Sequence, residues 1–296
     1  MKVKIIIGFI AILLSLNACA TVSISHLKVH VVNEEGKPVE DAVVQGYFTN
    51  LRYDYVASPQ RKGITDAKGM VQISGPALSS VNIDAYKKGY YQSDKKIPVN
   101  LKKDQDLTVI LREKKNPIAM YAKSTSFALD EPIHNVWLGY DLEKDDFLPP
   151  HGKGVTRDLE VLGEGWLKDL WTYRSTKKIR FPNYGDGLVA FYIEHDVSDF
   201  KSDYLSPLSS YQGQWEFNRS QKGKGFSEET NRDRRRNYYF RVRTETNDKG
   251  EIISAHYGKI YGEFGGRVTY YFNPTPNDRN VEFDPQKNLF KNLTNE

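Results

Sequence analysis

Glu194-His195-Asp196 is the densest run of acid–base side chains in the chain, and it follows the apolar stretch Val189–Ile193. Two carboxylates converging on an imidazole would serve general acid–base chemistry or hold a metal. Consecutive residues on a strand point to opposite faces, so these three do not converge without a bulge and read as a solvated strand end. Carboxylates also crowd Asp141–Asp146 and Asp158–Asp169. Glycoside cleavage needs a pair about 5 Å apart (retaining) or roughly 6.5–9.5 Å apart (inverting). Sequence sets no such distance, and surface loops account for both groups. His26 and His30 share a strand face about 13 Å apart, too far for one metal. The oxygen donors of Asp278–Asp284 lack EF-hand spacing. No histidine is followed three residues later by Glu, and HExxH, GxSxG, GxxxxGK[ST] and GxGxxG are all missing. Neither a cofactor nor a metal site is expected, and the chain reads as non-catalytic. The rival is a glycan-active hydrolase with an unrecognised carboxylate site in its second half.

Two other side-chain sets suit binding. Arg232-Asp233-Arg234-Arg235-Arg236 runs into Asn237-Tyr238-Tyr239-Phe240-Arg241-Val242-Arg243. Basic residues interleaved with aromatics stack on and neutralise single-stranded nucleic acid. A loop entering a strand, with Arg241 and Arg243 on its wet face, explains the same pattern. An anionic glycan or headgroup is the remaining ligand class. Trp137, Trp166, Trp171 and Trp215 offer flat faces for sugar rings, and they are equally good core fillers. These four tryptophans with Arg241 and Arg243 are the candidate ligand-binding residues. A contiguous exposed aromatic patch would favour glycan; buried tryptophans would favour scaffold.

The lone cysteine, Cys19, ends the segment Leu16-Asn17-Ala18-Cys19, which follows Lys2, Lys4 and the apolar run Ile5–Leu14. A basic start, a short apolar stretch and small residues at the cut form a secretory signal. The run is about half the roughly 20 residues that cross a bilayer. The segment resembles the lipobox of bacterial lipoproteins, which implies cleavage after residue 18, acyl chains on Cys19 and membrane attachment through them. Ala20 in place of Asp implies the outer membrane in a Gram-negative host. With one thiol there is no disulfide to form. Loss of Lys2 and Lys4 lowers the net charge from +4 to +2. So small an excess gives no global pull toward nucleic acid.

The elements that position these residues read as strands. The 19 Tyr and 14 Phe suit pleated, half-buried surfaces. From His26 the chain alternates, with Leu27, Val29 and Val31 on one face, and Asn33–Pro38 then supplies a turn. Further short strands are expected at 43–48, 70–73, 81–86, 95–99 and 107–111. Val29-His30-Val31-Val32, Gly36-Lys37-Pro38-Val39, Ala42-Val43-Val44, Thr65-Asp66-Ala67-Lys68-Gly69 and Lys88-Gly89-Tyr90-Tyr91 stand in the order of carboxypeptidase regulatory-like domains, which this region resembles. That resemblance implies a transthyretin-like, seven-stranded Greek-key β-sandwich over 25–112 that acts as a structural or binding unit and brings no catalysis.

The expected organisation is a signal peptide (1–18), a lipidated tether (19–24), the sandwich (25–112), a charged link ending in proline (113–117) and a second β-rich domain with little helix (118–296). Strands are expected there at 188–194, 238–244, 252–257 and 268–272, with a short helix over 159–170. Asn116–Tyr121, Asp186-Gly187-Leu188 and Asn277–Asp284 resemble an uncharacterised region that accompanies such sandwiches and carries no known activity. The expected partners are the membrane, through the acyl chains, and a carbohydrate or envelope protein, with no nucleic acid.

Overall fold

Alternation builds the first seven strands: β1 (Ile24–Asn33), β2 (Val43–Phe48), β3 (Gln60–Ile64), β4 (Met70–Pro76), β5 (Ser80–Tyr86), β6 (Ser93–Pro98) and β7 (Gln105–Leu111). The computed structural model describes residues 24–48, 60–76, 80–98, 104–126, 130–193 and 198–290. Cys19 and Glu194-His195-Asp196 lie outside the described residues. In β1, Leu27, Val29 and Val31 are buried. Val32 is buried on the opposite face, where its bridge to Pro38 folds the following turn over it. Sheets β4-β1-β7 and β3-β2-β5-β6 enclose a core that includes Val29, Val44, Ile83 and Leu111.

The expected turn at Thr65–Gly69 is held from within. The Asp66 carboxylate accepts the backbone N–H groups of Lys68 and Met70, both at 2.9 Å. Gly69 closes the turn at φ +70°, and a Cβ there would stand 2.4 Å from the Val31 carbonyl oxygen. Gly69→Ala is therefore expected to cost about 1–3 kcal/mol of stability. A urea midpoint unchanged from wild type would refute this.

Twelve strands follow: β8 (Ile118–Thr125), β9 (Leu138–Asp141), β10 (Asp146–Phe147), β11 (Leu159–Asp169), β12 (Thr172–Arg180), β13 (Gly187–Tyr192), β14 (Gln214–Lys222), β15 (Glu229–Thr230), β16 (Arg236–Thr246), β17 (Ile252–Tyr261), β18 (Val268–Asn273) and β19 (Phe283–Asn288). They form two six-stranded sheets, β10-β9-β11-β12-β14-β15 and β13-β16-β17-β18-β8-β19. A second core lies between these sheets, with Leu159, Val161 and Ile179 from one against Tyr238, Phe240, Ile260 and Tyr270 from the other. The fold is a mainly-β sandwich architecture throughout, as its alternation implied.

The helix expected over 159–170 is instead β11. Gly163 and Gly165 weaken a helix by about 1 kcal/mol each, and here they serve close approach. Gly165 has φ +148°, and a Cβ on it would meet the Arg174 carbonyl oxygen at 2.1 Å. Burial on both faces at Leu159–Leu162 had blurred the two-residue period.

The stretch 113–117 is pinned. Lys115 and Asn116 donate their N–H groups to the buried Glu282 carboxylate at 2.9 and 2.6 Å, and the Tyr91 hydroxyl donates to the same group at 2.9 Å. The Arg112 guanidinium donates to the carbonyls of Phe200 and Ser202 at 3.1 and 2.6 Å. These bonds tie the first sandwich to the second.

Candidate functional site

The hairpin β11–β12 carries two of the candidate tryptophans. Val161, Ile179 and Trp215 form one cross-strand row in the core. Leu167, Tyr173 and Gln221 form a row on the same face six residues further along β11, roughly 20 Å away at strand rise. The sheet thus overhangs its partner. Beneath the overhang lies a groove of about 680 Å³, lined in part by Leu167, Leu170, Tyr173, Phe217 and Arg219. Trp166 also lines the groove while remaining exposed, Trp171 is exposed beside it, and the turn between them is set by Asp169, whose carboxylate accepts the Trp171 N–H at 2.8 Å.

Trp137 and Trp215 do not join them. They share a smaller groove of about 230 Å³, and each already has a cationic partner. The Arg180 guanidinium lies 4.1 Å from the Trp137 ring centre, and that of Arg236 lies 5.2 Å from Trp215. Trp215 also meets the buried Tyr238 edge-on at 5.0 Å.

Arg241 and Arg243, expected on a wet strand face, are both committed to structure. Arg241 is buried, stacks 4.4 Å from the Tyr211 ring centre, and donates to the carbonyls of Gly185 and Leu208. Arg243 sits in a bulge of β16 at φ +55°. The bulge breaks the alternation and swings its guanidinium over Phe272, at 4.8 Å, and onto Asp158, at 2.7 and 3.1 Å. Glu143 lies 2.9 Å from it and Asp141 3.7 Å.

This carboxylate cluster draws on both acidic stretches, yet its oxygens are occupied. Asp141 accepts the N–H groups of Glu143, Lys144, Val155 and Thr156. Burial raises its pKa, and these four donors outweigh that and hold it below the usual carboxylate value. Asp158 is fully buried, and there burial wins over Arg243 and the Leu142 N–H, leaving its pKa raised. Asp278 likewise spends its carboxylate on Asn280 N–H and the Asn273 amide. Among the described residues no group of three His, Cys, Asp or Glu side chains is placed to hold a metal.

A pocket of about 570 Å³ between the two sandwiches escaped sequence reasoning. Tyr86 and Tyr90 from the first sandwich and Tyr271 and Phe283 from the second line its aromatic walls, while Gln92, Lys114 and Asp199 supply polar groups. Lys259, almost wholly buried, also lines it. Its ammonium nitrogen lies 4.2 Å from the Phe200 ring centre, 4.9 Å from those of Tyr261 and Tyr271, and 3.3 Å from Ser202 Oγ. Burial, aided by the charge on Arg112, pushes its pKa well below the usual lysine value. Asp199 is pushed up by burial and by Asp94, against Lys201 and Lys114. Opposed shifts in one pocket are a physical pointer to a functional site. No motif marked it in the sequence, because Asp199, Lys259 and Tyr271 lie more than a hundred residues from Tyr86, Tyr90 and Gln92.

No family model and no curated protein matches the chain. Among solved structures it is similar to a 3-chlorocatechol 1,2-dioxygenase from Rhodococcus opacus, at 10% identity and a TM-score of 0.25, covering 31% of this chain and 61% of that one, less than two thirds. It is also similar to a DUF3823 family protein from Parabacteroides merdae, at 10% identity and a TM-score of 0.22 over 88% of this chain and 99% of that one. The shaft pilin SpaA of Lactobacillus rhamnosus GG gives 12% identity and a TM-score of 0.27 over 81% and 94%. At such scores these likenesses carry no argument about what the chain binds or does.

Proposed function

We propose that the protein is a lipid-anchored, non-catalytic binding module of the cell envelope, and that its ligand is a carbohydrate held in the pocket between the two sandwiches. The observation that carries this reading is the pocket's chemistry. Its tyrosine and phenylalanine walls suit the apolar faces of sugar rings, while Gln92, Lys114 and Asp199 suit the hydroxyls. Its volume lies within the usual small-ligand range. Glycoside cleavage would require a second carboxylate facing the first, and Asp199 is the only one among the described lining residues. The membrane attachment rests on Cys19 and its flanking sequence.

The test is a glycan array followed by calorimetry on the full chain. Tyr86 and Gln92 are exposed and can be removed without opening a core. Tyr86→Ala and Gln92→Ala are each expected to weaken binding about 3- to 10-fold, the loss of one ring contact or one hydrogen bond. Absence of any glycan binding, or affinity indifferent to both changes, would remove the carbohydrate reading. Membrane fractionation with mass spectrometry tests the anchor separately; unmodified Cys19 in a soluble protein would overturn it.

A further inference from the structure

Strand register brings two hairpin tips to one end of the second sandwich. Thr172, the first residue of β12, pairs with Asp169 on one side and with Lys222, the last residue of β14, on the other. The β11–β12 turn and the β14–β15 connection therefore leave the sheet side by side. The apolar side chains they carry are out in solvent: Trp166 is 56% exposed, Leu167 72%, Leu170 82%, Trp171 48% and Phe226 62%. Neither core uses these five side chains as buried members. Large apolar residues gathered at one surface point to an interaction site, whereas scattered ones do not.

The charges around them are unbalanced. Five cations (Lys168, Arg174, Arg219, Lys222 and Lys224) stand with three carboxylates (Asp169, Glu228 and Glu229) in these two segments. Glu228 is taken by Arg219 at 2.6 Å, Glu229 by Lys222 at 3.0 Å, and Asp169 by the Trp171 N–H. Lys168, Arg174 and Lys224 form no ion pair among the described residues.

We infer that these paired tips are a membrane-docking edge that inserts into the interface of an anionic phospholipid bilayer. Leu167 and Leu170 rim the groove beneath the overhang, yet both remain largely exposed, so most of their apolar surface faces solvent rather than an enclosed ligand. A bilayer receives such a protrusion without a matching shape. Tryptophan is the side chain that settles at the boundary of headgroups and acyl chains. Lysines around an apolar apex keep their charge in the headgroup layer and are drawn to anionic lipid. The inference is independent of the sugar pocket, and it requires no acyl chain on Cys19.

The test uses the full chain with vesicles of phosphatidylcholine, with and without phosphatidylglycerol, and with acyl chains brominated near the headgroup. The expected result is a blue-shifted tryptophan emission quenched by the brominated chains, stronger with phosphatidylglycerol. Trp166→Phe with Trp171→Phe should abolish the quenching, because the other two tryptophans lie away from the tips. The doubly substituted Leu167→Ser, Leu170→Ser chain touches neither core, and its partitioning should fall roughly tenfold or more, as expected for withdrawing two leucines from an apolar phase. A chain held on vesicles by acyl groups alone would sediment with them while its tryptophans stayed unquenched, and that result overturns the inference. Equal quenching of the leucine variant and the wild type overturns it too, as does protection of the tips by a protein partner with no effect of bilayers.

Discussion

Arg243→Met should destabilise the protein by about 3–5 kcal/mol near neutral pH, the usual cost of deleting one partner from a buried ion pair. The guanidinium faces Asp158, Glu143 and Asp141, and Asp158 and Asp141 have almost no access to water. Methionine would keep the packing over Phe272 and leave the carboxylates without their cation. The deficit should depend on pH in a definite sense. Burial already raises the folded pKa of Asp158 above its unfolded value. An acid raised on folding contributes most to stability when protonated, and loses that contribution as pH climbs through its folded value. Without Arg243 to oppose burial the rise is larger, so the variant's deficit should shrink from about pH 7 toward about pH 4. Urea denaturation at both ends checks this. A deficit below about 1 kcal/mol at neutral pH, or one equal at both ends, would show that the cluster is solvated.

Lys259→Met is expected to act in the opposite direction, raising stability by about 1–4 kcal/mol near neutral pH, in the range found when buried charged groups give way to well-packed apolar ones. Three ring faces attract the ammonium, each worth about 0.5–2 kcal/mol, but no carboxylate forms an ion pair with Lys259 among the described residues. The ordinary lysine value is 10.5, and the folded amine lies well below it. Between the two values the unfolded chain carries a proton that the folded chain lacks. Stability at this site is therefore full above about pH 10.5 and declines as pH falls toward the folded value. The advantage of methionine should accordingly be largest near pH 7 and fade in strong alkali. Thermal denaturation across that range is the check; a variant less stable than wild type at neutral pH would mean that the cage holds a charged lysine at a net gain.

How much of this was readable beforehand depends on the range of the interactions involved. Leu27, Val29 and Val31 announce a half-buried strand because a two-residue period is a local property, and the Thr65–Gly69 turn is equally local, since Asp66 bonds to residues two and four places on. The strands at 238–244 and 252–257 were legible for the same reason, and the structure only lengthens them to Arg236–Thr246 and Ile252–Tyr261. The fate of the candidate binding residues was less legible. Arg241 and Arg243 share a face on any regular strand, but loop residues Gly185, Leu208 and Tyr211 cover Arg241, and a bulge after Val242, invisible to periodicity, turns Arg243 into the sandwich. Trp166 and Trp171 look no different in sequence from Trp137 and Trp215. Strand register puts Trp166 on the outer face of its sheet and Trp171 in the turn beyond it, whereas Trp137 and Trp215 meet Arg180 and Arg236.

Residue type and short-range spacing were enough for the mainly-β character and the turns, because each depends on a few neighbouring residues. The pocket between the sandwiches, the caged Lys259, the Arg243 cluster and the paired tips join segments tens to hundreds of residues apart. Register and sheet packing place those segments together, and both are properties of the folded chain as a whole.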